Sequence, residues 1–425
     1  MNKFNIITLG CKVNQYESEV IARELESEGW VPANDNETAD ICIINTCTVT
    51  QKASMQSRQA IRQAIRSNPE GRVLVTGCYA QTEPDQIKKI KGVSDIIGHK
   101  DKHKIVENLK LETGNRKPDS QVSSFRFQVS NARTRPFLKI QDGCNTFCTY
   151  CIVPYARGRS RSMPFENVLQ NIRQLKDAGF HEVVLTGIHL GCYGTDLSPA
   201  TSLSELLHCI HDSDRTDRIR LSSIEPHEIT DDIIELVAKS DTLCHHFHIP
   251  LQSGDDFILK QMHRPYTNAF FRTLITKIHE MMPDAAIGVD TLIGFPGETE
   301  QAFENTYATI KDLPVTYLHV FPFSSREGTP ASTYPNKVPS KVIKTRCQKM
   351  RTLGNAKKNE FYRTVVGKSA EVLIESKRDK SSGLLKGSTS NYIPVLVNGG
   401  DELKNTLVSV RIEEVDDKNR VRAAI

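Results

Sequence analysis

Six of the eleven cysteines in this 425-residue chain fall into two trios whose placement suits metal chemistry. Cys144-Asn145-Thr146-Phe147-Cys148-Thr149-Tyr150-Cys151 sets three thiols at C-x₃-C-x₂-C spacing. Three thiolates can hold three irons of a four-iron cubane and leave the fourth iron open to a ligand. A closed zinc site is the competing reading, but it wants four ligands, and no fourth Cys or His stands obviously near. The second trio is Cys11, Cys47 and Cys78, 36 and 31 positions apart. Each follows an apolar run that reads as a strand. In an open parallel sheet the strand C-termini share one edge, so these cysteines can converge; three unrelated buried cysteines are the alternative. Cys42, Cys192, Cys209, Cys244 and Cys347 are scattered and read as small buried apolar residues or spare thiols. An odd total excludes complete internal pairing, and without a secretion signal cysteines point to metal or catalysis.

The elements that must position these residues follow from periodicity. Over 1–111, the runs Phe4–Leu9, Asp40–Ile44, Arg72–Thr76 and Ser94–Ile97 alternate with helical patterns near Gln15–Glu28, Thr50–Ser67 and Glu83–Ile90. That alternation predicts an α/β domain with a parallel sheet. A polar stretch over 112–136 reads as a linker. Over 137–362, six strand candidates (Phe137–Gln141, Glu182–Thr186, Arg218–Ser222, His246–Leu251, Ala286–Ile293, Tyr317–Phe321) alternate with helices. Six such units predict a partial (β/α)6 barrel, whose active site belongs at the C-terminal strand ends. Over 363–425, short β-rich runs (Ala370–Glu375, Ile393–Val397, Thr406–Ile412, Arg420–Ala424) between turn residues predict a small all-β barrel.

The net charge of +4 hides two basic segments. Glu112–Pro164 carries nine basic and three acidic residues, and Lys341–Arg363 carries eight basic and one acidic. Concentrated positive charge suits a polyanion such as RNA, or else marks a solvated helix face. No apolar run approaches the ~20 residues of a membrane helix, and no signal peptide is visible, so a cytoplasmic protein is expected.

With both trios in view, the chain resembles the radical S-adenosylmethionine methylthiotransferase family over essentially its whole length. Tyr150, the aromatic just before the last cysteine, fits the superfamily loop. Val153-Pro154-Tyr155-Ala156-Arg157-Gly158, Met262-His263-Arg264-Pro265-Tyr266-Thr267, Gly294-Phe295-Pro296-Gly297-Glu298-Thr299 and Phe323-Ser324-Ser325-Arg326-Glu327-Gly328-Thr329-Pro330 are similar to family motifs. Leu9-Gly10-Cys11-Lys12-Val13-Asn14-Gln15 looks closest to the branch acting on N6-threonylcarbamoyladenosine beside the tRNA anticodon; the isopentenyladenosine branch typically shows Gln-Met in place of Lys12-Val13. One departure is Thr186-Gly187-Ile188, where many superfamily members carry Gly-Gly-Glu to hold the methionine amine.

The resemblance implies two 4Fe–4S clusters and S-adenosyl-L-methionine. Cys144, Cys148 and Cys151 would hold the radical-generating cluster, and Cys11, Cys47 and Cys78 an auxiliary one bearing the sulfur to be transferred. It implies a terminal β domain of the TRAM type and methylthiolation of adenine C2, whose inert C–H bond calls for a radical route. Candidate cofactor contacts are Tyr150, Gly187, Ser223, Glu225, Gln252, Arg264, for the cofactor carboxylate, and Asp290, a carboxylate inside an apolar strand that needs partners. Candidate substrate contacts are Asn14, Arg157 and Arg161. The expected partners are a tRNA anticodon stem-loop, with an unstacked base reaching a pocket between the clusters, and an electron donor such as flavodoxin or ferredoxin. The same chemistry on isopentenyladenosine or on a ribosomal-protein aspartate, and a non-enzymatic metal-containing RNA-binding protein, are the alternatives.

Overall fold

The computed structural model describes residues 1–34, 37–113, 133–213 and 215–425, without the side chains of 110–113. The expected linker over 112–136 lies almost wholly outside the described residues, and with it part of the first basic segment. The chain divides into two compact units. The first comprises Met1–Gln128, Asp142–Ser160 and Ser324–Ser332; the second comprises Val129–Gln141, Arg161–Phe323 and Thr333–Ile425. The cysteine loop 144–151 thus packs within the first unit.

That unit is built on five parallel strands, β1 (Lys3–Thr8), β2 (Val31–Pro32), β3 (Ile41–Thr46), β4 (Arg72–Gly77) and β5 (Asp95–Gly98), in the order β2-β1-β3-β4-β5. Central β3 is buried at all six positions, as a parallel strand covered on both faces should be. Its alternate side chains serve two cores. Ile41 and Ile43 meet Ile21 and Leu25 of α1 (Lys12–Ser27), whereas Cys42 and Ile44 meet Ile61 and Ala64 of α2 (Gln51–Ser67). The Thr50 hydroxyl caps α2 by accepting from the Ala53 N–H, which satisfies one donor the helix cannot. The helix expected over 83–90 is two short ones, α3 (Cys78–Thr82) and α4 (Pro84–Lys88). Pro84 has no N–H to continue a helix but suits the first turn of a new one.

In the second unit, Phe137–Lys139, Glu182–Thr186 and Arg218–Leu221 form one parallel sheet, and His246–Gln252, Ala286–Ile293 and Tyr317–Pro322 another. Parallel bridges Ile219–Leu243 and Ser223–His248 join them, giving six strands in sequence order: the partial (β/α) barrel. Helix Ser340–Arg363 packs on the last strand, where Gly354 lies so near Leu318 that an added Cβ would come within 3.1 Å. A closed five-stranded barrel follows, Ser369–Arg378, Leu385–Thr389, Pro394–Val397, Val421–Ala424 and Leu407–Val415, around Val372, Ile374, Val395, Val410 and Ile412. Leu385–Thr389 was not expected as a strand, because Lys386-Gly387-Ser388 has weak β propensity. Packing explains it: a Cβ on Gly387 would stand 2.3 Å from Val372, so only glycine lets these strands approach. This barrel docks on the starts of the parallel strands, with Arg218 bonded to Glu371 at 2.6 Å and Arg220 to both Glu182 and the Thr389 carbonyl.

Candidate active site

The first cysteine trio converges because β1, β3 and β4 are neighbours. Cys11 precedes α1, Cys47 directly follows β3, and Cys78 opens α3 directly after β4. All three therefore stand on the C-terminal edge of one sheet. Gly10 makes the close approach possible: it sits at φ +98°, and a Cβ there would meet the Cys47 Cβ at 2.8 Å and Sγ at 2.9 Å. Asn14 then clamps the edge. Its buried amide donates to the Leu9 carbonyl at 2.7 Å and the Thr46 carbonyl at 3.0 Å, tying the loops that carry Cys11 and Cys47.

Burial pushes the Cys47 thiol up to about 11, with the neighbouring Cys78 and Cys11 adding to the rise. Cys78 is likewise raised by burial, against the pull of Arg157 and Lys102. Thiols so placed would release their protons when a metal cation such as iron binds in their place. Two buried cations facing three soft sulfur donors also suit a negatively charged thiolate-ligated cluster, so the residues fit such a group.

The loop 144–151 is shaped by its own backbone. The Cys144 N–H donates to the Gly158 carbonyl at 3.1 Å and the Cys151 N–H to the Cys148 carbonyl at 2.9 Å. The Thr146 N–H points at the Cys144 sulfur at 3.4 Å, a contact that stabilises thiolate. The Thr149 carbonyl accepts from Ala331, and half-buried Tyr150 follows. Cys148 is buried, Cys144 and Cys151 partly so. This donor set fits a three-thiolate cluster with an open corner.

Arg157 joins the two trios. A candidate substrate contact by sequence, it faces inward, 1% exposed. Its guanidinium donates to Glu17 at 2.9 Å, Asp142 at 2.8 Å and the Asn14 side-chain oxygen Oδ1 at 2.6 Å. The short helix that carries it, Val153–Arg157, packs on α3. Lys102 completes the buried network, donating to Glu17 at 2.6 Å and Asn45 at 2.9 Å. Glu17, Asp142 and Lys102 were not singled out from the sequence. The signal for Glu17 is weak: a carboxylate one helical turn beyond Asn14, on the face α1 turns inward.

In the second unit, Gly187 lies against Gln141, whose side-chain oxygen accepts from the Ile188 and His189 N–H groups at 2.9 and 2.8 Å. Arg264 and Glu225, expected as separate cofactor contacts, pair with each other, and Arg264 also donates to the Tyr266 hydroxyl at 2.9 Å. Ser223 and Arg161 are exposed; Gln252 is partly exposed, at φ +66° beside a bulge. Asp290 has the partners its strand position demanded. His248 and His319 lie on it at 2.7 and 3.2 Å. Burial works to raise its pKa, yet these bonds hold the carboxyl well below the usual range. His248 and His319 carried no sequence signal beyond their type.

Residues 138–310 match the Radical SAM superfamily, and residues 3–98 match the family described as Uncharacterized protein family UPF0004. Fold and cysteine loop therefore define a radical S-adenosylmethionine enzyme, a class that uses S-adenosylmethionine and a 4Fe–4S cluster. The solved radical S-adenosylmethionine methyltransferase TsrM of Kitasatospora setae shares the fold at TM-score 0.57 and 15% identity, over 78% of this chain and 77% of that one. The threonylcarbamoyladenosine tRNA methylthiotransferase MtaB of Bacillus subtilis is 41% identical over 95% of this chain and 92% of its own length. The tRNA-2-methylthio-N(6)-dimethylallyladenosine synthase of Carboxydothermus hydrogenoformans is 36% identical over 97% and 96%. This chain belongs to the radical S-adenosylmethionine methylthiotransferase family.

Proposed function

We propose that the chain converts N6-threonylcarbamoyladenosine next to the tRNA anticodon to its 2-methylthio derivative, in the cytoplasm, with two 4Fe–4S clusters and electrons from a flavodoxin- or ferredoxin-type donor. The observation that carries this reading is the second trio, Cys11, Cys47 and Cys78, converging on one sheet edge in the same compact unit as the 144–151 loop. Radical generation needs one three-thiolate set; a second set is what sulfur transfer adds. The 41% identity to a relative named for threonylcarbamoyladenosine, together with Lys12-Val13, supports that base over the isopentenyl one.

In this reading S-adenosylmethionine at the first cluster supplies the adenosyl radical, and a sulfur at the second supplies the atom to be methylated and transferred. The chain's own residues do the rest. Cys144, Cys148 and Cys151 would hold the first cluster through their three thiolates. Cys11, Cys47 and Cys78 hold the second. Arg157 and Lys102 offset negative charge beside it, and Asn14 fixes the spacing of two of its ligand loops. Tyr150, Gly187, Ser223, Gln252 and Asp290 remain the candidate cofactor contacts, Arg161 the outward candidate for substrate, and the Arg264–Glu225 pair a positioning element.

Nucleoside mass spectrometry of tRNA from a deletion strain tests the proposal. Loss of 2-methylthio-threonylcarbamoyladenosine alone is expected; loss of the isopentenyl product, or no change, refutes the substrate. After anaerobic reconstitution, replacing Cys144, Cys148 and Cys151 by Ala should leave about four irons per chain, and finding none refutes the second site.

A further inference from the structure

Within the second unit, helix Ser340–Arg363, the last parallel strand and the terminal barrel enclose a cavity of about 440 Å³. That size falls among sites that take a small ligand, roughly 300–1,000 Å³. Its wall combines two chemistries. Arg351, Asn355 and Lys358 of the basic helix line it, at positions i, i+4 and i+7, which share one helix face. Tyr317 and Tyr392 line it as well.

The cations lack the partners that would make them structural. Among the described residues neither Arg351 nor Lys358 pairs with a carboxylate: Arg351 reaches the Val320 carbonyl at 3.3 Å, and Lys358 stands over the Tyr362 ring at 5.3 Å. Burial lowers the Lys358 ammonium with no anion to offset it. The acid in the lining, Glu375, is already bonded to Arg135 at 3.0 Å. A buried Ser388 hydroxyl in the lining has no partner.

Tyr392 is the second, independent sign. It occupies the left-handed region at φ +64°, an outlier for a bulky side chain, and the residue remains 38% exposed. The ring is braced from behind by the Arg220 guanidinium at 5.1 Å and by His246 at 4.6 Å. Strain kept to present an aromatic face into a cavity marks a ligand contact better than a packing accident.

We infer that this cavity receives one unstacked nucleotide of the RNA substrate, distinct from the adenosine that reacts, with its base on Tyr392 and its phosphate between Arg351 and Lys358. Aromatic faces take bases of any sequence, and Arg or Lys take phosphates, which is how single-stranded RNA is gripped. The inference rests on the tRNA reading above and adds a second grip, one that would set register on the stem-loop.

The test is binding of a fluorescently labelled anticodon stem-loop RNA to the full-length reconstituted enzyme across a salt series. Tyr392→Ala should weaken binding about tenfold and Tyr392→Phe should restore it, since stacking survives without the hydroxyl. Arg351→Ala with Lys358→Ala should flatten the slope of log K against log salt by about 1.4, two single-strand phosphate contacts. Lys380→Ala, an exposed lysine on the 379–383 turn, serves as the control and should leave both quantities unchanged. Should Tyr392→Ala fold poorly, the double variant on the helix still decides. Wild-type affinity and slope in that variant, or an equal effect of Lys380→Ala, overturns the cavity assignment. Failure of the wild-type enzyme to bind the stem-loop overturns the RNA reading itself.

Discussion

The Arg157 guanidinium donates to the Asn14 side chain at 2.6 Å. Asn14 stands three residues after Cys11 and Arg157 six after Cys151, so this bond couples the segments that carry the two cysteine trios. Because Asn14 also grips the carbonyls before Gly10 and Cys47, a displacement of the 144–151 loop is transmitted to the ligand loops of the other trio. One buried side-chain network thus ties together the segments that carry the two cysteine trios.

Arg157→Met removes the cation from that network, taking the guanidinium from Asp142 and leaving Glu17 with Lys102. Breaking a buried ion pair from one side costs about 3–5 kcal/mol, and that loss should appear in denaturant unfolding of the reconstituted protein. Adding Asp142→Asn should recover part of it, because the carboxylate that lost its guanidinium is no longer charged; a double variant no more stable than the single one contradicts the pairing.

Gly10→Ala places a methyl against Cys47 and forces a side chain into a left-handed turn. A penalty of roughly 1–3 kcal/mol is expected. Iron content should fall toward that of the Cys11, Cys47 and Cys78 triple alanine variant, while the 144–151 site keeps its iron. Full iron occupancy in Gly10→Ala would show that the close approach is not needed.

Cys42 separates ligand from bystander. It is buried between β3 and α2, and burial alone pushes its thiol up to about 11. Cys42→Ser should lower stability by about 1–3 kcal/mol through an unpaired buried hydroxyl and leave the iron count, measured by ferrozine, as in the wild type. A drop in iron would make it a ligand.

The Asp290 carboxyl is held below its ordinary range by His248 and His319. A depressed carboxylate adds stability above its unfolded pKa, and that share disappears as pH falls through the folded value. Asp290→Asn should therefore destabilise the protein by roughly 1.5–3 kcal/mol near neutrality. Urea midpoints of wild type and variant should converge as pH falls from about 4, the ordinary aspartate value, toward the depressed folded value, and not above it. A gap that stays constant across that range would mean the histidines do not set this carboxyl.

Much of the fold was legible in the sequence. Ala286–Ile293 and Glu182–Thr186 were bounded to the residue, because period and turn signals there agree with the tertiary context. Leu385–Thr389 was missed because its pairing depends on a glycine that only a neighbouring strand explains. The candidate site divides the same way. The cysteines were visible by spacing and by strand ends. The inward turn of Arg157 and the mutual pairing of Arg264 with Glu225 were not, since charge type says nothing about which way a guanidinium faces once a partner is folded beside it.

By itself the sequence determined which atoms can do the chemistry: three thiols within eight residues, three more at successive strand ends, and the alternation that makes parallel sheets. Those are local properties, set by covalent spacing and by side-chain periodicity. The tertiary structure decided what surrounds them. The order β1-β3-β4 makes neighbours of cysteines more than thirty residues apart. Folding the 144–151 loop into the first unit brings Arg157 onto Asn14 and Glu17 across some 140 residues. Burial then fixes the outcome, because a buried cation such as Arg157 must find its carboxylates.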